Sequence, residues 1–453
     1  MNRTRLLVCW MAVSPFLLAL AAGLAQEPRP PAEWTPNLIV QVHQTLAARL
    51  AEKPLNQVED VRDNILKTDI YGKSQTRGTV TVEFVPCDNA AIIDLVMTAE
   101  TSAQTTGYHG PVQLHNTSQS SIHARKRVYL DAEGVKFGPA ESCNRTDSML
   151  ECITTKFQRP LMDNTVRRTA YRRYTKDQEL ARQISESHVD QRVRAGFDRD
   201  ADPSLLAANR SYRETLRDPL QTRGIFPDHV SMSTTATTLV ARYRLADAAA
   251  PSWPAPPALD GSPEASVRLH ESFLNAATNT LFAGKTYTAE TFRRDFPELR
   301  GPGPKRPAGG ATDQKKFAIT FAAKNPIEAH FDNDTVTIVV RGSRFQVDDD
   351  TFEGMSVTVA YRVEKSATGI KATRRGEIQV RPTNVAPGQR LTSSQVAAKA
   401  VLKHHLEEFL PPDIEQDELT LPESLQKAGK LVPTQLAAAR GWLVFGAKVV
   451  ATK

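Results

Sequence analysis

Apolar residues recur along the chain in two patterns, one helical and one alternating. Over residues 37–63 the spacing predicts a strand start followed by an amphipathic helix. Apolar and polar residues then alternate at residues 80–84, 93–97 and 122–130, which is typical of strands with one buried face. A turn over residues 131–134, closed by a glycine, leads to a partner strand. This region is therefore predicted to be a helix followed by an antiparallel meander.

Between residues 163 and 223 the pattern becomes helical and basic. Val166 and Tyr174 recur near helical spacing, while arginines occupy the other faces. Asp202 and Pro203 predict a break, because proline lacks the N–H that a helix interior needs. The segment is predicted to form two helices that separate two β-rich regions.

The second β-rich region repeats the order of the first. A proline-rich linker follows predicted strands at residues 230–245, and Val267 opens a second helical stretch. The remaining elements are predicted to be strands at residues 317–321, 336–340, 357–363 and 378–380, a helix at 395–409 and a strand at 442–450.

Two matched segments indicate that the β-rich regions are copies. Residues 40–46 match residues 267–273, and both run from apolar alternation into a helix. Residues 128–136 match residues 363–371, each a strand, a turn closed by glycine and a second strand. The separations are 227 and 235 residues, so the offset is nearly constant.

The predicted fold class is α+β, with two related modules joined by a helical connector. In each module an amphipathic helix lies on a twisted antiparallel sheet, which buries the apolar side of both. The predicted boundaries are 1–25 for a signal peptide, 36–160 for the first module, 161–225 for the basic connector, 226–386 for the second module and 387–453 for a C-terminal helix and strands.

The N-terminus has the features of an export signal. Arg3 and Arg5 precede an apolar run that ends in small residues at Ala25. An uncleaved membrane anchor is the alternative, since the run approaches the length that spans a bilayer. Cleavage would leave 55 basic and 51 acidic residues, a net charge of +4, and a secreted or periplasmic protein without a further transmembrane span. So small an excess over the mature chain gives little support for a nucleic-acid partner.

Three cysteines follow the signal. Cys143 and Cys152 bracket polar, turn-forming residues, and an oxidising compartment would favour a disulfide between them. Cys87 is then expected to be a buried free thiol. The spacing offers no paired metal-ligand motif, so no metal site is predicted.

The C-terminal segment and both helix openings carry a family resemblance. Residues 421–424, 431–432 and 442–449, together with the openings at residues 43–46 and 270–275, resemble the bactericidal/permeability-increasing-like proteins of the tubular lipid-binding superfamily. The whole chain is also similar to uncharacterised exported bacterial proteins, which implies no activity. The superfamily resemblance implies pseudo-symmetric modules, each a helix wrapped by a twisted sheet around a lipid site, without catalysis. It covers residues 40–160 and 226–450.

No catalytic motif emerges from the remaining polar residues. His43 and His270 occupy matching places, and a hydrogen bond to a strand or helix end accounts for them. Leu274 stands where a zinc protease would need its second histidine. His404 and Glu408 lie one helical turn apart without a third ligand, so no cofactor is predicted. The chain is predicted not to be an enzyme.

The arginines near the start of the connector are the one patch that implies a partner. Arg167, Arg168, Arg172 and Arg173 could dock anionic headgroups or acidic glycans. The alternative is a solvated helix face, balanced by acidic residues further along. An anionic component of the cell envelope is thus a candidate partner.

Two functions remain open. The first is binding of an acyl chain or another apolar ligand between helix and sheet. The residues predicted to line that site are Val42, Leu46, Ile93, Leu95, Phe273, Leu274, Val336 and Ile338. The second is a structural or protein-interaction module of the cell envelope whose cores are filled by side chains.

Overall fold

The computed structural model describes residues 34–245, 253–296, 317–367, 369–383, 385, 389–416, 419 and 429–450. The predicted signal peptide lies outside the described residues.

Strands make up most of the described chain. In chain order they are β1 (Leu38–His43), β2 (Lys53–Ile65), β3 (Thr68–Val85), β4 (Ala91–His109), β5 (Val112–Asp131), β6 (Gly134–Phe137), β7 (Glu141–Thr155), β8 (His229–Thr234), β9 (Thr238–Arg244), β10 (Ala265–His270), β11 (Thr286–Thr288), β12 (Phe317–Phe321), β13 (Ile327–Asp332), β14 (Thr335–Val347), β15 (Asp350–Lys365), β16 (Ile370–Arg374), β17 (Gln379–Pro382), β18 (Asp413–Gln416), β19 (Lys430–Ala439) and β20 (Trp442–Val450).

The helices differ greatly in length. They are α1 (Gln44–Ala51), α2 (Pro160–Tyr212), α3 (Asp218–Thr222), α4 (Glu271–Phe282), α5 (Ala289–Asp295) and α6 (Ser393–Phe409), and a π-helical turn at Arg213–Arg217 joins α2 to α3. At 53 residues, α2 is about 80 Å long.

The strands form three antiparallel sheets. The central sheet has the order β19-β20-β10-β1-β9-β8. The first-module sheet has the order β2-β3-β4-β5-β6, and β7 also pairs with β5. The second-module sheet has the order β11-β12-β14-β15-β16-β18, with β13 on β14 and β17 on β15. The described chain is therefore a mixed α+β structure of antiparallel sheets and one long helix.

The central sheet brings the two matched segments side by side. β1 pairs with β10, and Val40 lies opposite Val267. These two residues are also equivalent in the sequence match, so a local pseudo-two-fold axis passes through their pair. On either side the hairpins β8–β9 and β19–β20 complete a palindromic strand order.

The two outer sheets also share an order of connections. β5 turns into β6 through residues 131–134, and β15 leads into β16 at the matched position. β7 then pairs along β5, as β17 pairs along β15. A helix follows in each case, α2 in the first and α6 in the second.

Two of the predicted helix limits are wrong. The first helix ends at Ala51, and Lys53–Ile65 is strand β2, paired with β3 over its whole length. Pro54 explains this, because a residue before proline disfavours helical angles. The predicted break at Pro203 is absent, since α2 runs through it to Tyr212. Phe197 and Tyr212 are buried on either side of this proline. Both pack against strands of the first module, and these contacts keep the helix continuous.

The predicted disulfide is also wrong. Cys143 and Cys152 are exposed free thiols on the same strand, β7, and the residues between them continue that strand instead of turning. Nine residues of extended chain place the two about 30 Å apart, whereas a disulfide needs Cα atoms within about 7 Å. The polar residues that suggested a turn alternate between the two faces of the strand, with Asn144 and Thr146 toward α2, and their backbone partners lie on β5. Cys87 is a free thiol of intermediate exposure.

Candidate functional site

The first-module sheet curls until both of its edges reach the same helix. At the β2 edge, Asp63 Oδ1 lies 2.8 Å from His188 Nδ1 of α2. At the β7 edge, Asn144 Nδ2 donates to the Glu186 carbonyl at 2.7 Å, and the Thr146 amide donates to Glu186 Oε1 at 3.0 Å. His188 and Glu186 are two positions apart in the helix, so they point about 200° apart around its axis. Helix α2 therefore fills the gap between the edges, and the sheet wraps around it.

Strand register shows which side chains face the helix. Leu95 and Met97 of β4 pack against Phe197 of α2, so the odd-numbered residues of β4 lie on the inner face. In the half of β4 nearest the central sheet, residues 91–99, this face is apolar. We call this the proximal half of the sheet, and residues 100–109 of β4 mark its distal half.

In the distal half the inner face changes to small side chains. Thr101 and Ala103 of β4 lie opposite Ser120 and Ser118 of β5, and all four keep intermediate exposure. Ser120 Oγ is 2.8 Å from Thr146 Oγ1 of β7, whose amide reaches α2. The helix thus faces an apolar wall along one half of the sheet and a wall of small, hydroxyl-rich residues along the other.

Two glycines of β3 permit the curl. A Cβ on Gly78 would lie 2.3 Å from the Thr98 carbonyl oxygen, and one on Gly72 would lie 2.1 Å from the Gln104 carbonyl oxygen. Because both contacts are with backbone of the neighbouring strand, a side chain would force β3 and β4 apart. The tight approach at these two positions keeps the sheet coiled round the helix.

A buried lysine ties the inner face to the helix. Lys126 of β5, only 1% exposed, reaches Asp198 Oδ1 at 2.5 Å and Asp202 Oδ1 at 2.7 Å, both on α2. Its ammonium also donates to the Gly138 carbonyl at 2.9 Å and lies over the ring of Phe137. Burial alone would lower the pKa of Lys126, but the hydrogen bonds that it donates to Asp198 and Asp202 raise the pKa above its usual value. The lysine is therefore charged and fixes the position of α2.

Sequence reasoning missed this lysine, although the sequence carries its signal. Lys126 occurs in phase with the buried residues Ile122, Ala124, Val128 and Leu130 of the same strand. A single cation at an apolar-phase position predicts a buried ion pair. Its partners could not be named, because they come from a helix more than seventy residues further along.

The eight residues predicted to line a ligand site lie in separate apolar clusters. Val42 and Leu46 pack at one end of the central sheet, with Leu431 and Phe445. Phe273 packs at its other end.

The remaining five are divided between the two outer modules. Ile93 and Leu95 are partly buried on the inner face of the first-module sheet. Val336 is buried in the core of the second module, and Leu274 and Ile338 pack against that core. Of the eight predicted residues, Ile93 and Leu95 are thus the two that lie on the sheet face that surrounds α2.

The four predicted arginines lie on the first third of α2. Arg167 makes an ion pair with Asp163 at 2.9 Å, and Arg173 pairs with Asp177 at 3.6 Å. Arg168 and Arg172 are exposed and form no ion pair with other described residues. The patch is thus a partly neutralised helix face with two open guanidinium groups.

Both matched histidines cap helices. The Thr45 amide donates to His43 Nδ1 at 3.3 Å, and the Ser272 amide donates to His270 Nδ1 at 3.2 Å. The interpretation of His43 and His270 as residues bonded to helix ends is confirmed. Within the described residues, no group of three or more His, Cys, Asp or Glu side chains could hold a metal ion.

None of the helices in the described ranges has a stretch both long and apolar enough to span a membrane.

Comparisons with known proteins find only distant structural similarity. No protein-family model and no curated protein matches the chain. Among solved structures, lipopolysaccharide binding protein is similar with a TM-score of 0.33 and 9% identity, over 93% of this chain and 100% of the other. P47 from Clostridium botulinum A2 is similar with a TM-score of 0.23 and 8% identity, over 91% and 97%. At these TM-scores and identities, the two similarities transfer no ligand and no site to this chain.

Proposed function

We propose that the protein is a non-enzymatic binding protein that holds an apolar ligand, such as an acyl chain, between α2 and the first-module sheet. The observation that carries the proposal is the inner wall of this sheet. Ile93 and Leu95 face the helix yet stay partly exposed, and from Ala99 to Gly107 the inner face of β4 consists of small side chains. Small residues facing a helix leave room that large apolar residues would fill.

The proximal and distal halves suit different parts of one ligand. An acyl chain gains free energy against the apolar residues of the proximal half, at about 0.8 kcal/mol for each buried CH₂. The hydroxyls of the distal half, such as Thr101 and Ser120, can hydrogen-bond a polar end group. The ligand class is therefore an amphipathic molecule with at least one acyl chain.

A structural role is the second candidate, and the second module favours it. One continuous core fills that module, and Tyr361 and Leu402 within it are 0% exposed. Phe331 and Phe345, at 2% and 1%, are equally enclosed. We therefore place the ligand in the first module and assign the second module a supporting role.

Export through residues 1–25 belongs to the same proposal and rests on the sequence alone.

Substitution on the two faces of β4 tests the ligand site. Thr101→Trp places a large ring on the inner wall, whereas Ser102→Trp places the same ring on the exposed outer face. We expect the unchanged protein and Ser102→Trp to retain lipid after purification from a membrane-containing host. Thr101→Trp should lose most of it, as measured by mass spectrometry of the solvent-extracted protein.

Circular dichroism of both variants checks that they fold alike. Absence of lipid from the unchanged protein, or equal retention by the two folded variants, would contradict the proposed site and leave the structural role.

A further inference from the structure

The start of α2 and the loop before it concentrate the charge of the molecule. From Lys156 to Lys176 there are seven basic residues and one acidic residue, Asp163. The net charge of this segment, +6, equals the formal net charge of the whole chain, also +6. The rest of the chain is therefore neutral in sum, so the net positive charge of the chain equals the charge of this segment.

The same segment exposes large apolar side chains. Leu161 is 85% exposed, the highest value among the large apolar residues of the described chain, and Met162 is 49% exposed. Phe157 in the preceding loop and Tyr171 one turn beyond Arg167 are 37% and 59% exposed. Apolar residues scattered singly on a surface need no explanation, but a group within a strongly basic segment indicates a binding surface.

The first helical turn is anchored firmly enough to present these residues. Asp163 accepts a hydrogen bond from Thr155 Oγ1 at 2.5 Å and pairs with Arg167. On the outward side of the helix, Leu161, Arg168 and Arg172 follow one another at spacings of seven and four residues, so they share a face. Arg168 and Arg172 have no acidic partner among the described residues, which leaves their guanidinium groups available.

We propose that this segment, which we call the docking tip (residues 156–176), attaches the protein to an anionic lipid surface. Phe157, Leu161 and Met162 enter the boundary between headgroups and acyl chains, and Arg168 and Arg172 contact the headgroups. A nucleic acid would engage the same charges but would gain nothing from exposed leucine and methionine. The combination of charge and apolar side chains therefore favours a membrane. The docking tip does not depend on the ligand proposed for the sheet interior.

Flotation with lipid vesicles tests this assignment. We expect the full chain to bind vesicles of phosphatidylcholine mixed with phosphatidylglycerol, and to bind much less at about 0.5 M salt or to phosphatidylcholine alone. Arg168→Gln with Arg172→Gln should weaken binding about 25-fold, since each basic residue near an anionic surface contributes about fivefold. Leu161→Ser with Met162→Ser should weaken it about tenfold or more.

Matched variants on the same helix serve as controls. Arg199→Gln with Arg210→Gln removes the same charge far from the docking tip, and Leu180→Ser removes an apolar residue that is 52% exposed; neither should change binding by more than about twofold. All variants share one N-terminus, so any contribution of residues 1–33 cancels. If the tip and control variants bind vesicles equally, the assignment is wrong.

A tryptophan at position 161 tests entry into the lipid directly. Leu161→Trp should shift its fluorescence to shorter wavelength and be quenched by bromolipid when anionic vesicles are added. Binding without that shift, or tighter binding to duplex DNA that is insensitive to Leu161→Ser, would overturn the membrane assignment.

Discussion

At the scale of single residues, His43 and His270 hold equivalent places in different surroundings. Each accepts a hydrogen bond from the backbone two residues on and begins a helix. His270 is also buried, stacked on Trp253 at 5.3 Å between ring centroids and edge-on to Trp442 at 5.0 Å. Burial lowers the pKa of His270 below its ordinary value of about 6.5. The neutral ring therefore fits its site, and a proton on Nδ1 would abolish the cap.

This environment predicts a loss of stability in acid. Below about pH 6.5 the unfolded chain binds a proton that the folded His270 does not, so the free energy of unfolding decreases as pH falls. The contribution of neutral His270 to the free energy of unfolding is fully present above about pH 6.5. His270→Asn keeps a capping side chain but does not titrate, so its stability should fall less steeply between pH 7 and 5. Urea unfolding at a series of pH values measures the two slopes, and parallel slopes would contradict the prediction.

The histidine caps could be predicted from sequence, but the aromatic surroundings could not. The match between residues 40–46 and 267–273 placed both histidines at helix openings. Trp253 comes from a proline-rich linker without periodicity, and its indole N–H donates to the Pro36 carbonyl at 2.7 Å. No local pattern relates Trp253 to Pro36, which is 217 residues away in the chain. The environment of His270 therefore depends on tertiary structure alone.

At the scale of elements, α2 is held by charge as well as by apolar contact. Phe197 packs on the inner face of the first-module sheet, and beside it Lys126 pairs with Asp198 and Asp202. Removing one member of a buried charge group leaves the others without compensation, which costs more than losing an exposed pair. The lysine is thus a specific test of how the helix lies on the sheet.

Lys126→Met should lower the free energy of unfolding by about 2–3 kcal/mol, at the low end for buried pairs because both carboxylates keep some contact with water. Lys136→Met is the matched control, since Lys136 is half exposed and 3.9 Å from Asp131; it should cost less than about 0.5 kcal/mol. Adding Asp198→Asn and Asp202→Asn to Lys126→Met should recover part of the loss. Urea unfolding measures all four proteins. Equal costs for Lys126→Met and Lys136→Met would show that α2 is not held in this way.

Most strands and the last helix could be predicted from spacing, whereas the limits of α1 and α2 could not. Leu55 and Val61 fit a helical period by chance, and only pairing with β3 makes their segment a strand. Pro203 has the local properties of a helix break, but contacts on both sides of it stabilise a continuous helix. Tertiary contacts outweigh local preference in both cases. The role of α2 inside a curled sheet was missed for the same reason, because its partners lie in β2, β5 and β7.

At the scale of the whole molecule, two parts that share several connections between elements have different interiors. The Val40–Val267 pair relates them through the central sheet, in agreement with the 227-residue offset. The second module is closed by large side chains, while the first keeps a wall of small ones around α2. We propose that duplication produced the pair and that ligand binding was kept by the first copy.

The most direct test is a crystal structure of the protein purified with its lipid from the cell envelope. We expect elongated density along α2, beside Ile93 and Leu95, and none inside the second module. Side chains in full contact across the whole interface between α2 and the first-module sheet, with no density between them, would contradict it.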